Sequence, residues 1–323
     1  MDAAAGTPLV RAAEAAVSCL GVGAEDRVVV VCNEPQRTIA VALGRAAVGR
    51  TPKVSVVCFP AMTRPNQEPP QAITDVMTTA TVVFATTAFS VSHTAARRNA
   101  TARGVRIASL PKVTAELFER LLVVDYAHLK RAGEALTAQL TAATTCRVTS
   151  AAGTDVTLQL GDRVAVCDSG NLQGAGAFGN LPAGEAYIAP IETSGDGRIV
   201  FDGSLAGYGM LATPLTVTLR AGRAVAATGE AGRWLLDTLD AGGNMGRMIA
   251  ELGIGTNPNA RVSGRIIEDE KALGTAHLAF GTSASFGGAN IADVHIDGLL
   301  RQPTIELDGK VILRDGAPAS GTD

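Results

Sequence analysis

The sequence predicts an α/β N-terminal domain with a parallel sheet, residues 1–144, followed by an α+β domain with mainly antiparallel strands, residues 145–323. Two patterns carry this reading. Up to about residue 145, continuous β-branched apolar runs alternate with alanine-rich stretches, as strands buried on both faces alternate with crossover helices. Beyond Thr145 the runs become short, alternating and broken by glycine, which suits antiparallel strands.

In the first domain Val28–Cys32, Val54–Cys58, Thr81–Phe84 and Val105–Ala108 read as strands. Thr38–Val48, Ala72–Thr78 and Thr94–Ala102 between them suit helices. Tyr126–Ala143 reads as one long helix leading out of the domain, with Leu129, Ala132, Leu136 and Leu140 on one stripe. The second domain offers strands at Thr154–Leu160, Arg163–Cys167, Glu185–Pro190, Arg198–Asp202 and Leu215–Leu219, and a helix at Glu230–Leu239.

Composition narrows the function classes. Apolar residues make up 46% of the chain and charged ones 18%, enough apolar content for a packed core. The net charge of -3, with no run of Lys or Arg, argues against a nucleic-acid partner. Met1–Gly6 lacks a secretory pattern and no apolar run reaches the ~18 residues of a bilayer span, so a cytoplasmic protein without a membrane partner is expected. Five scattered cysteines without a CxxC pair fit reduced thiols. The first strand runs into Asn33-Glu34-Pro35-Gln36 rather than a glycine-rich turn, and no phosphate-binding loop motif occurs, so no standard nucleotide site is expected.

Of four histidines, His93, His128, His277 and His295, two fall between Gly274 and Leu300. In Asp293-Val294-His295-Ile296-Asp297 the alternation puts His295 and Asp297 on one strand face, where an imidazole and a carboxylate can reach one cation. His277 lies in a second apolar strand, where a buried imidazole must be either hydrogen-bonded or metal-bound. Together they suggest a metal site built around His277, His295 and Asp297. Glu185 opens a strand just after a turn. Glu251 sits in the apolar, glycine-rich Ile249–Gly255, a costly place for an unpaired carboxylate. The acidic run Glu268-Asp269-Glu270 before Lys271 reads as a solvated loop.

Four blocks carry a resemblance to the aminopeptidase T family of metallopeptidases. Asn180–Pro190 resembles its NLPTEEVFTAP block, and Ala250-Glu251-Leu252 with Asn257-Pro258 resembles GEVAL…NP. Ala276–Gly281 resembles SHIAFG, and Val294–Asp297 resembles VHVD. The resemblance implies a metal-dependent hydrolase, cleaving an amide or N-terminal peptide bond of a small molecule or short peptide, and a homodimer. It implies two Zn, Co or Mn ions held by Glu185, Glu251, His277, His295 and Asp297, with Glu251 as bridging ligand or proton acceptor. Where those peptidases carry a tyrosine that would stabilise the tetrahedral intermediate, this chain has Ala284.

Ser92–Arg97 together with the HxD block is also similar to the 2,5-dihydroxypyridine 5,6-dioxygenases, ring-opening iron enzymes of the same fold. This second resemblance implies one Fe(II) on His277, His295 and Asp297, with His93 as an acid or base toward a hydroxylated pyridine or related aromatic.

Overall fold

The computed structural model describes residues 6–64, 67–92 and 94–319 of the chain. His93 therefore lies outside the described residues. By contact the chain forms two compact units, one holding the residues up to Tyr126 with Ser169–Ala183, the other Ala127–Asp168 with Gly184 onward.

The first unit is the α/β part. Strands β1 (Val28–Cys32), β2 (Val54–Cys58), β3 (Val82–Thr86) and β4 (Arg106–Ser109) are all parallel. Helices α1 (Pro8–Cys19), α2 (Arg37–Val48), α3 (Gln71–Thr79), α4 (Ala95–Ala102) and α5 (Ala115–Leu121) accompany them. Every residue of β1 and β3 is buried, as their unbroken apolar runs require. The edge strand β2 is largely exposed although its sequence, with Ser55 as the one polar residue, is nearly as apolar as β1.

The second unit begins in α6 (Tyr126–Ala142). The hairpin partners β5 (Thr145–Ser150) and β6 (Asp155–Gln159) then enter an eight-stranded sheet, and β7 (Val166–Asp168) a seven-stranded one. The chain returns to the parallel sheet of the first unit through β8 (Phe178–Asn180), which pairs with β4. β9 (Glu185–Ile188), β11 (Ser204–Leu205) and β12 (Gly209–Met210) belong to the seven-stranded sheet. β10 (Asp196–Phe201), β13 (Leu215–Arg220) and β14 (Arg223–Ala227) belong to the eight-stranded one. After helix α7 (Gly229–Ala241) come β15 (Ile249–Gly255), the short helix α8 (Ile266–Asp269), β16 (Ala276–Gly281) and β17 (His295–Leu300). β18 (Pro303–Leu307), β19 (Lys310–Arg314) and β20 (Ala317–Pro318) complete the eight-stranded sheet.

Both sheets of the second unit are antiparallel throughout. The expected architecture, a parallel sheet followed by mainly antiparallel ones, is what forms. The core of this unit gathers one face of the seven-stranded sheet, Ile188, Leu252, Ile254, Leu278 and Phe280, against Val148, Leu158, Ile199 and Val217 from the other sheet. Alternation then turns the other face of β9, β15, β16 and β17 away from that core. No helix among the described residues is long and apolar enough to cross a membrane.

Candidate metal centre

The seven-stranded sheet runs β12-β11-β17-β16-β15-β9-β7, so the strands that carry the predicted ligands are immediate neighbours. Asp168 pairs with Glu185, which pairs with Gly255. Gly253 pairs with His277, Glu251 with Ala279, Ala279 with Asp297, and Gly281 with His295. Residues paired across strands share a face, so Glu185, Glu251, His277, His295 and Asp297 project together. The positions between them are Gly253, Gly255, Ala279 and Gly281. Small residues leave the space that the long polar side chains occupy.

Gly253 shows this most directly. A Cβ there would lie 2.1 Å from both Cε1 and Nε2 of His277, so the imidazole ring rests on bare backbone. Gly253→Ala is expected to turn the ring away from Glu251 and to cost about 1–3 kcal/mol as overpacking. Chemical denaturation of the metal-free variant checks this; an unchanged midpoint would mean the ring has room to spare.

Glu251 is the centre of the arrangement. Its Oε1 lies 3.1 Å from His277 Nε2, which is also 3.5 Å from Glu185 Oε2. Its Oε2 lies 3.4 Å from His295 Nε2, which is 3.2 Å from Asp297 Oδ1. Two groups able to hold a divalent metal ion result, Glu185–Glu251–His277 and Glu251–His295–Asp297, sharing Glu251. All five predicted ligands are thus brought together. His277 does not join His295 and Asp297 in a single such group among the described residues, so each group has one imidazole and two carboxylates.

The donor chemistry fits a divalent ion. Carboxylate oxygens and imidazole nitrogens suit Mn, Fe, Co or Zn, and buried anions of this density need a cation. The two groups differ in preparation. His295 Nδ1–H donates to the Thr282 carbonyl at 2.8 Å, an anchor that fixes the ring and aims Nε2 at Glu251 and Asp297. His277 Nδ1 and Glu185 Oε2 have no hydrogen-bond partner.

Glu251 pairs with both imidazoles and Asp297 with His295. Burial pushes Glu251 up, but His277 and His295 outweigh it and hold the carboxyl at about 2. Burial pushes His277 down, and the same contacts with Glu251 and Glu185 carry it up to about 9. His295 is raised well above its ordinary value against burial, by Asp297 and Glu251.

Sequence reasoning missed the cation of the site. Lys271 is fully buried, its Nζ 2.5 Å from Glu185 Oε1, 2.8 Å from Glu270 Oε1 and 3.5 Å from Asp168 Oδ2. The acidic run before it is no solvated loop: Glu268 and Asp269 are buried. Their carboxylates take the backbone N–H groups of Arg261, Ser263 and Gly264 and the hydroxyls of Ser204 and Ser263. Those bonds offset the desolvation that the solvated reading avoided. The signal available in the sequence was the company the run keeps, Lys271 at its end standing six residues before the buried His277.

Phe286 closes one side, its ring edge-on to His295 at 6.0 Å and to Tyr187 at 5.5 Å. Its loop is tied down where Glu192 accepts from Ala289 N–H and Arg163 donates to the Gly287 carbonyl. Ala284 lies exposed in that loop. Tyr187, on β9, is raised well above its ordinary value by burial and by Glu251, Asp168 and Glu185, so its phenol keeps its proton. Tyr208 packs on Trp234, the two rings tilted by 58°.

The family model of 2,5-dihydroxypyridine 5,6-dioxygenase matches residues 8–320. The chain belongs to this family. Among solved structures it is similar to 2,5-dihydroxypyridine dioxygenase from Pseudomonas putida KT2440, with TM-score 0.82 and 22% identity over 97% of each chain. It is also similar to AmpT from Thermus thermophilus, with TM-score 0.73 and 16% identity over 97% of this chain and 99% of that one. No curated protein sequence matches it. Both expected likenesses are therefore present in one fold. Family and paired ligand groups together make the chain a metal-dependent enzyme of that fold.

Proposed function

We propose that the protein is a non-haem iron dioxygenase that opens the ring of a hydroxylated pyridine or a related aromatic, with residues 145–323 as its catalytic domain. The observation that carries this reading is the dioxygenase family match over residues 8–320. The anchored group Glu251–His295–Asp297 supports it as the place for the ion. Fe(II) bound there would supply the redox chemistry that lets dioxygen react with an electron-rich ring.

The chain's own groups do the rest. Thr282 fixes the His295 ring by its carbonyl, and His277 Nε2 hydrogen-bonds Glu251 Oε1, holding that carboxylate in line. Phe286 packs edge-on against the His295 ring. The Tyr187 phenol, which keeps its proton beside Glu251 and Glu185, would be available as a hydrogen-bond donor to a substrate oxygen.

A second reading, a two-metal hydrolase, rests on one observation: each oxygen of Glu251 faces a different ligand group, as a bridging carboxylate would. The two separate cleanly on the bench. Protein loaded anaerobically with Fe(II) is expected to take up oxygen on adding 2,5-dihydroxypyridine or a related diol, and to release no amine from aminoacyl anilides. Amine release without oxygen uptake would overturn the dioxygenase reading.

A further inference from the structure

We infer that Lys271 is a built-in cation that restricts this centre to one divalent ion, held by Glu251, His295 and Asp297. The inference rests on the metal-centre reading above and is independent of which reaction follows.

Three observations lead to it. The Lys271 ammonium already engages Glu185 Oε1 at 2.5 Å, so an ion in the Glu185–Glu251–His277 group would share one carboxylate with a fixed positive charge. Like charges that close in a buried site repel strongly. The ammonium also has nowhere to withdraw. Its backbone N–H bonds the Glu268 carbonyl at 3.0 Å, its own carbonyl accepts from Asn257 N–H at 2.8 Å, and Asp168 and Glu270 flank its Nζ. Gly255 adds to the clamp, since a Cβ there would lie 2.1 Å from the Ala272 carbonyl oxygen. Finally, the two imidazoles are unequal. His295 is fixed by the Thr282 carbonyl, whereas His277 Nδ1 has no partner to orient the ring as a ligand.

The centre therefore has the outline of a two-ion site, with an amino-acid side chain supplying the second positive charge. Glu185 serves the lysine, and His277 steadies Glu251.

Calorimetric titration of the metal-free full-length protein with Mn(II) tests this. Wild type is expected to bind one ion per chain. Lys271→Met removes the ammonium that faces Asp168, Glu185 and Glu270 and is expected to bind two ions, the added ion at least tenfold tighter than any second ion in wild type. Glu185→Gln, which keeps the side chain's size and an amide oxygen for the Lys271 ammonium, is expected to keep the single ion within about threefold of the wild-type Kd. Two ions of similar affinity in wild type would overturn the inference and leave the metal centre standing. So would loss of the single ion in Glu185→Gln. No binding in wild type would overturn the metal-centre reading itself.

Discussion

His295→Ala is expected to lower metal affinity by roughly 100-fold or more, since removal of groups that merely orient a ligand already costs about 10–100-fold. The ring supplies the one imidazole of Glu251–His295–Asp297 and is the one held in place from behind by a backbone carbonyl. Metal content after dialysis against a weak chelator reads the effect. Unchanged content would mean that the ion binds elsewhere. The same contacts set a pH dependence. Without metal, Asp297 and Glu251 hold His295 protonated well above its ordinary range, so binding must expel that proton. Apparent affinity should rise with pH, by about tenfold per unit for each proton displaced. For stability the sign is opposite. The imidazolium pairs stabilise the metal-free fold fully below the ordinary histidine pKa, and that contribution fades as pH rises through the folded values, about 9 for His277.

Lys271→Met carries the largest expected effect on stability. Three carboxylates face the ammonium inside the protein, and removing one partner of a buried ion pair costs about 3–5 kcal/mol. Burial pushes Glu185 up to about 8 despite Lys271, so without the lysine the carboxyl would hold its proton still more firmly. The loss should accordingly shrink as pH falls and the carboxyls protonate, and should also shrink when divalent ions are added. Urea unfolding of metal-free protein at several pH values, with and without Mn(II), measures both. A loss that grows toward low pH would contradict the assignment of Lys271 as the counter-charge.

The architecture was legible because burial on both faces leaves its mark in composition. Val28–Cys32 and Thr81–Phe84 read as inner strands of a parallel sheet, and the strands that form, Val28–Cys32 and Val82–Thr86, are buried along their whole length. Phe178–Asn180 could not be read, since three residues carry no period and its place beside β4 is decided by long-range pairing. The ligands were legible for a related reason. Glu251 and His277 are polar residues in otherwise apolar strands, a costly arrangement that calls for a purpose.

How those ligands divide into groups was not legible. Register decides it, by setting Gly253 opposite His277 and Ala279 between Glu251 and Asp297. Lys271 escaped because Glu268-Asp269-Glu270-Lys271 has the composition of a surface turn. The backbone donors of Arg261, Ser263 and Gly264 and the hydroxyls of Ser204 and Ser263 make the burial of that run tolerable.

The most direct measurement follows oxygen into the product. Protein carrying Fe(II), given 2,5-dihydroxypyridine or the related diol that supports oxygen uptake, is run under ¹⁸O₂ and the ring-opened product is weighed by mass spectrometry. The dioxygenase account predicts that both atoms of one O₂ molecule enter the product. Product that carries no ¹⁸O, its added oxygen coming from unlabelled water, would contradict it.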